Sequence, residues 1–117
     1  MVVKRIVSNI AAQDVAVVQA FYRDLFDLDV VMDFGWITTL ANPSEAPVQI
    51  SIASQGGSET EVPDLSIEVD DVDAVYRRAK SLGLDIIYEL TDEPWGVRRF
   101  YLSDPTGKVL NILTHLD

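Results

Sequence analysis

Leu28-Asp29-Val30-Val31 and Leu84-Asp85-Ile86-Ile87 stand 56 residues apart in this 117-residue chain, and Asp14 and Asp70 stand at the same offset. Each aspartate precedes an apolar stripe at helical spacing. In the first copy the stripe is Val15, Val18, Tyr22, Leu25 and Phe26; in the second it is Val72, Val75, Tyr76, Ala79 and Leu82. Two helix starts and two strand starts at one offset indicate an internal duplication. Whatever the first half folds into, the second half repeats.

The pattern in each half reads β-α-β-β-β. Val2 to Ile10 is a strand candidate, and Asp14 is placed to cap a helix over about 15–27. Leu28 to Asp33 and Trp36 to Ala41 are short strands around Gly35, and 42–47 is a Pro-rich loop. Val48, Ile50 and Ile52 alternate with Gln49, Ser51 and Ala53, the signature of a half-buried strand. Residues 55–63, polar and glycine-rich at the start, read as a linker between modules 1–54 and 64–117 of one domain, 1–117. In the second module Leu65, Ile67 and Val69 alternate with Asp64, Ser66 and Glu68; Asp70 or Asp71 caps the helix and Gly83 stands where it ends.

The last quarter carries the most distinctive motif. Glu93-Pro94-Trp95-Gly96 leads into the arginine-bearing run Val97 to Ser103, then Asp104-Pro105-Thr106-Gly107, then Val109 to Leu113 with Asn111. Asp, Pro and Gly at positions one, two and four suit a type I turn, so the segment is a hairpin. Glu-Pro-Trp-Gly followed by Asp-Pro-x-Gly-x-x-x-Asn resembles the closing hairpin of the vicinal oxygen chelate superfamily, which holds glyoxalase I, extradiol dioxygenases and bleomycin-resistance proteins. The resemblance extends over nearly the whole chain. It implies an α+β fold in which two βαβββ modules form an eight-stranded, open, cup-shaped sheet with helices on its outer face.

If the helices cover one face, the alternating residues of the other face line the cup. These are Val7 and Asn9, Gln49 and Ser51, Asp64, Ser66 and Glu68, and Val109, Asn111 and Leu113. The strand from Val97 to Ser103 is apolar on both faces, and period alone does not orient it; the resemblance places Arg99 and Tyr101 inward and Phe100 and Leu102 in the core. Trp36 and Trp95 are either core residues or flat surfaces on the cup rim.

Metal-dependent relatives carry one ligand on the first and last strand of each module. The motif spacings carry those places onto Val7, Gln49, Asp64 and Asn111. Valine has no donor, and the two amides offer only neutral oxygens. A transition metal needs three or four imidazole or carboxylate ligands, so no metal and no cofactor is expected. His115, the one histidine, reads as a surface residue outside the cup. Asp64 and Glu68, about 13 Å apart along a strand, are too distant to share a proton.

Composition limits the partners. Nineteen acidic against nine basic residues give −10, which disfavours nucleic acid and anionic membranes. No cysteine is present, and no basic-then-apolar leader or bilayer-length apolar run is seen, so a cytoplasmic location is expected. The leading reading, from its resemblance to the metal-free bleomycin-resistance-like branch of that superfamily, is a homodimeric binder of a small organic molecule, a cationic or planar antibiotic-like compound. Its expected ligand contacts are Asn9, Trp36, Gln49, Ser51, Asp64, Ser66, Glu68, Trp95, Arg99, Tyr101 and Asn111. The alternative is a lyase, isomerase or dioxygenase of the same superfamily with a divergent active site, catalytic residues unassigned.

Overall fold

The computed structural model describes residues 1–42 and 48–117; residues 43–47 of the predicted loop lie outside the described residues. The elements run β1 (Val3–Ala11), α1 (Val15–Phe26), β2 (Asp29–Asp33), β3 (Ile37–Asn42), β4 (Val48–Ala53), β5 (Leu65–Val69), α2 (Val72–Ser81), β6 (Ile86–Glu93), β7 (Val97–Ser103) and β8 (Val109–His115). The fold is α+β, with eight strands hydrogen-bonded in the order β2-β3-β4-β1-β5-β8-β7-β6. The chain divides into two compact units, 7–62 and 63–117, and residues 1–6 group with the second.

In the unit of residues 7–62, β1 pairs parallel with β4, and β4-β3-β2 follow as antiparallel neighbours. Asp14 caps α1, its Oδ1 accepting from the Val17 N–H at 3.2 Å. Val15, Leu40 and Ile52 form the buried centre, with Ile10, Val18, Tyr22, Leu28 and Ile50 packed around it. The same construction recurs in the other unit. There β5 pairs parallel with β8, and β8-β7-β6 are antiparallel. Phe100, Leu102, Ile112 and Val69 bury themselves under Val72 and Ala79 of α2.

The duplication extends to backbone conformation. Asp27 and Gly83, 56 residues apart, both follow their helices in the left-handed region, at φ 55° and 69°. Around Gly83 the Gly83 and Leu84 N–H groups return to the Lys80 and Ala79 carbonyls, satisfying carbonyls that the helix end would leave open. At the helix starts the offset slips by one. Asp71, not Asp70, caps α2 by accepting from Ala74 N at 3.0 Å. Asp70 is committed elsewhere: its Oδ1 takes the Val2 N–H at 2.8 Å and its own N–H donates to the Val2 carbonyl.

The stretch 55–63 is a folded loop. Gly56 N and Thr60 O bond at 2.9 Å, the Thr60 hydroxyl donates to the Gly57 carbonyl at 2.7 Å, and Gly56, Gly57 and Pro63 are buried. Ser58 and Glu59 both sit in the left-handed region at φ 50° and 64°, which costs about 1–2 kcal/mol per residue for an L side chain.

Candidate functional site

The face of β5–β8 turned away from α2 carries the chemistry. In the hairpin the cross-strand pairs Arg99–Leu113, Tyr101–Asn111 and Phe100–Ile112 fix which side chains share a face. Phe100 and Ile112 belong to the α2-side core, so Arg99, Tyr101, Leu113 and Asn111 occupy the opposite face. The turn that sets this register is built by Asp104. Its Oδ1 accepts from Thr106 N, Thr106 Oγ1 and Lys108 N, while Gly107 N returns to its carbonyl. The Thr106 hydroxyl bond is the largest of the influences that hold the Asp104 carboxyl below the usual aspartate range.

Two interruptions in β6 then aim a carboxylate at this face. Tyr88 pairs with Tyr101, Thr91 with Arg99 and Glu93 with Val97, so three steps along β6 match two along β7. An extra residue of this kind reverses the side-chain alternation beyond it. Glu93 thereby lands beside Arg99. Arg99 Nε donates to Glu93 Oε2 at 2.8 Å and Nη1 donates to the Tyr101 hydroxyl at 3.0 Å. The guanidinium carbon lies 4.9–5.3 Å from the ring centroids of Trp95, Tyr101 and Tyr88, within cation–π range. The Tyr88 hydroxyl lies 3.3 Å from both Glu93 oxygens. The result is an internally neutral cluster of one buried ion pair, the buried Tyr101 ring and the half-buried Tyr88 and Trp95 rings.

A second charged group lies on the neighbouring strands. Glu68 accepts from Arg5 Nε at 2.9 Å, and its other oxygen is 2.5 Å from His115 Nδ1. The glutamate side chain is only 15 % exposed, whereas the imidazole is half exposed. His115 is therefore part of this face, contrary to the sequence expectation, and Glu68 has two basic partners where the sequence named none.

The remaining predicted residues are distributed as follows. Ser66 and Asn111 face each other across β5 and β8, with Asn111 Nδ2 donating to Ser66 Oγ at 3.1 Å. The Asn111 Oδ1 is buried and has no hydrogen-bond partner. The Asp64 Oδ2 takes the Val109 N–H at 2.8 Å and ties β8 to the segment before β5. In the other unit Asn9 pairs with Ser51, whose hydroxyl bonds Thr39 Oγ1 at 2.7 Å. Trp36 is half-buried with its ring 6.3 Å from that of Phe34, and Gln49 borders a cleft beside α1. Trp36 and Gln49 both lie in the unit of residues 7–62. Arg98, on the α2 side, pairs with Asp92 at 2.5 Å and Asp73 at 3.1 Å. The Asp92 bond is the largest influence raising its pKa, and the same bond lowers that of Asp92.

The residues at the expected metal positions do not fit a transition metal. Val7 has no donor atom, Gln49 and Asn111 offer only neutral amide oxygens, and Asp64 is the one carboxylate of the four. Among the described residues no three His, Asp or Glu side chains converge as a metal site.

Comparison with known proteins identifies the family and the fold. The profile of the glyoxalase-like domain matches residues 6–117. No match is found among curated proteins. Among solved structures, the chain is similar to an NAD-dependent benzaldehyde dehydrogenase from Legionella pneumophila, at TM-score 0.79 and 19 % identity over 95 % of this chain and 99 % of that one. It is similar to a Streptomyces coelicolor methylmalonyl-CoA epimerase variant in complex with 2-nitronate-propionyl-CoA, at TM-score 0.72 and 17 % identity over 99 % and 100 %. A glyoxalase/bleomycin resistance protein/dioxygenase superfamily member from Vibrio splendidus 12B01 gives TM-score 0.69 and 16 % identity over 98 % and 100 %. At these identities the likeness is one of fold.

Proposed function

The chain belongs to the glyoxalase-like domain family, within the vicinal oxygen chelate superfamily, and from that membership we propose that it binds a small planar organic molecule without using a metal ion. The observation that carries this reading is the gathering of Tyr88, Trp95 and Tyr101 around Arg99, whose charge Glu93 already neutralises. Tyr88 and Trp95, the two half-buried rings, offer flat surface over the buried Arg99, Glu93 and Tyr101, and flat apolar surface above satisfied polar groups is what a planar ligand needs. The charge of the ligand is secondary in this arrangement. Asp64 and Glu68, the two carboxylates that the sequence offered to a cation, are both engaged within the protein. Homodimerisation is part of the same proposal.

The test is calorimetric titration with matched cationic, neutral and anionic planar aromatics on wild type and Trp95→Ala. Binding of the three within about tenfold of one another, weakened by the substitution by about 1–3 kcal/mol of stacking and contact, is the expected result. A preference of more than a hundredfold for the cation, abolished by Glu68→Gln, would restore the cationic reading. No binding by any of them would remove the proposal.

One observation favours an enzyme as the second reading. Glu68 between Arg5 and His115 is a carboxylate–imidazole pair with Nδ1 turned to the carboxylate. If Nδ1 carries the proton, Nε2 is left as an acceptor, the arrangement of a general base. An isomerase or lyase that moves a proton would use it, and an epimerase is among the proteins of similar fold. Deuterium uptake from solvent into carbon acids, lost in His115→Ala, is the measurement that would favour this reading over simple binding.

A further inference from the structure

The imidazole of His115 and the rings around Arg99 lie on one face of one compact unit, residues 1–6 with 63–117. Val97 and His115 are cross-strand partners, and the Leu116 N–H donates to the Gly96 carbonyl at 2.8 Å. The loop that carries Trp95 is therefore bonded directly to the residue after His115. Alternation along β8 puts His115 on the side of Leu113 and Asn111, which is also the side of Arg99 and Tyr101. Arg99 pairs with Leu113, so His115 is its diagonal neighbour, with backbones about 7–8 Å apart. Val97 and Leu113, both buried and apolar, occupy the other two corners of that square.

The imidazole is oriented as well as placed. Glu68 meets Arg5 through one oxygen, at 2.9 Å, and His115 Nδ1 through the other, at 2.5 Å. An ionised carboxylate only accepts, so Nδ1 is the donor, and the neutral ring keeps Nε2 as its acceptor on the far side from that contact. Glu68 is largely buried and the imidazole is half exposed, so the carboxylate is the fixed partner and the ring the accessible one. A hydrogen bond from the ring to a carboxylate strengthens the other nitrogen as an acceptor. Both guanidinium groups on this face are paired with carboxylates, Arg99 with Glu93 and Arg5 with Glu68. The group that such a face suits is a neutral donor and not an anion.

We propose that the planar molecule carries a hydroxyl on its flat ring system, and that this hydroxyl donates to His115 Nε2 while the rings lie against Trp95 and Tyr88. A phenol or an enol is the class that fits. Its O–H is more acidic than that of an aliphatic alcohol, so it gains most from an acceptor backed by a carboxylate. Its body is flat and apolar, as the two half-buried rings and the apolar corners at Val97 and Leu113 require. His115 then determines specificity, a role separate from the stacking that Trp95 supplies.

This inference rests on the planar-ligand reading, and its test separates the two. Calorimetric titration with naphthol and with its methyl ether, at about pH 8 and so above the ordinary imidazole range, compares a donor with the same flat body lacking it. Wild type is expected to bind naphthol about fivefold or more tightly than the ether. His115→Phe keeps a flat ring and lacks the acceptor; it is expected to bring the two affinities within about twofold and to leave that for the ether unchanged. The chain has one histidine, so its Nε2 resonance gives a second measurement on unaltered protein: naphthol is expected to shift it and the ether to leave it in place. Equal binding of the two compounds by wild type overturns the inference and leaves the planar reading standing. A preference that survives His115→Phe, or an Nε2 resonance that naphthol does not move, does the same. Binding of neither compound removes both.

Discussion

Arg99 sends both Nε and Nη2 to the same oxygen of Glu93, Oε2, at 2.8 and 2.7 Å, and the two side chains are 3 and 2 % exposed. Both charges have left water, so each depends on the other. Arg99→Met strands a buried carboxylate and is expected to cost about 3–5 kcal/mol in urea denaturation, as is Glu93→Leu for the stranded guanidinium. The double variant is expected to be more stable than either single one. Equal stability of all three variants would show that the pair is hydrated.

The two helix ends respond differently to substitution. No heavy atom lies within 4 Å of a Cβ built on Gly83, so Gly83→Ala meets only the backbone cost of its left-handed conformation, and a loss of about 1 kcal/mol is expected. Asp27→Gly relieves the equivalent strain and is expected to be neutral or stabilising by up to about 1 kcal/mol. Thermal unfolding of the two variants against wild type measures both.

Acid titrates the turn. Asp104 is held low by Thr106, Asp92 by Arg98 and Asp70 by the Val2 N–H. A carboxyl with a depressed folded pKa contributes stability above its unfolded value, about 3.9 for aspartate, and loses it as pH falls through the lower folded value. The urea midpoint is therefore expected to hold steady down to about pH 5 and then drop. Asp104→Ala should lower the plateau and flatten the drop; an unchanged acid limb would assign it to other groups.

Asn111 has an amide oxygen buried without a partner. Asn111→Leu removes that orphan and is expected to leave stability within about 1 kcal/mol of wild type, or to raise it, because an unsatisfied buried acceptor costs about 1–3 kcal/mol. Asn111→Asp places a charge there and is expected to destabilise by more. Denaturant midpoints for the pair give the comparison.

The fold was legible in the sequence because the duplication fixed two copies of the same element order, and the caps at Asp14 and Gly83 behave as their residue types require. The hairpin was legible from Asp104-Pro105-Thr106-Gly107, whose turn bonds form as that chemistry demands. Glu93 was not. Alternation read straight along β6 joins Tyr88 to Leu90 and Asp92; the bulge between Tyr88 and Thr91 puts Glu93 in their place. The Glu68–His115 pair was hidden for another reason. Its members are 47 residues apart, and only the parallel pairing of β5 with β8 brings them together. A periodicity argument sees one strand at a time, so a contact set by strand neighbours escapes it.

Residues 1–6 group with residues 63–117, and Val2 and Asp70 exchange their backbone and carboxylate bonds across 68 positions. During synthesis the first strand is made early, yet half of its partners do not exist until the second copy of the repeat has begun to emerge. Residues 7–62 can close their own parallel pairing of β1 with β4 while the preceding six residues wait. The duplicated halves are therefore not independent: completion of the second strand order is also what finishes the first strand, so a released fragment of residues 1–62 would leave residues 1–6 without their Asp70 partner and open to proteases.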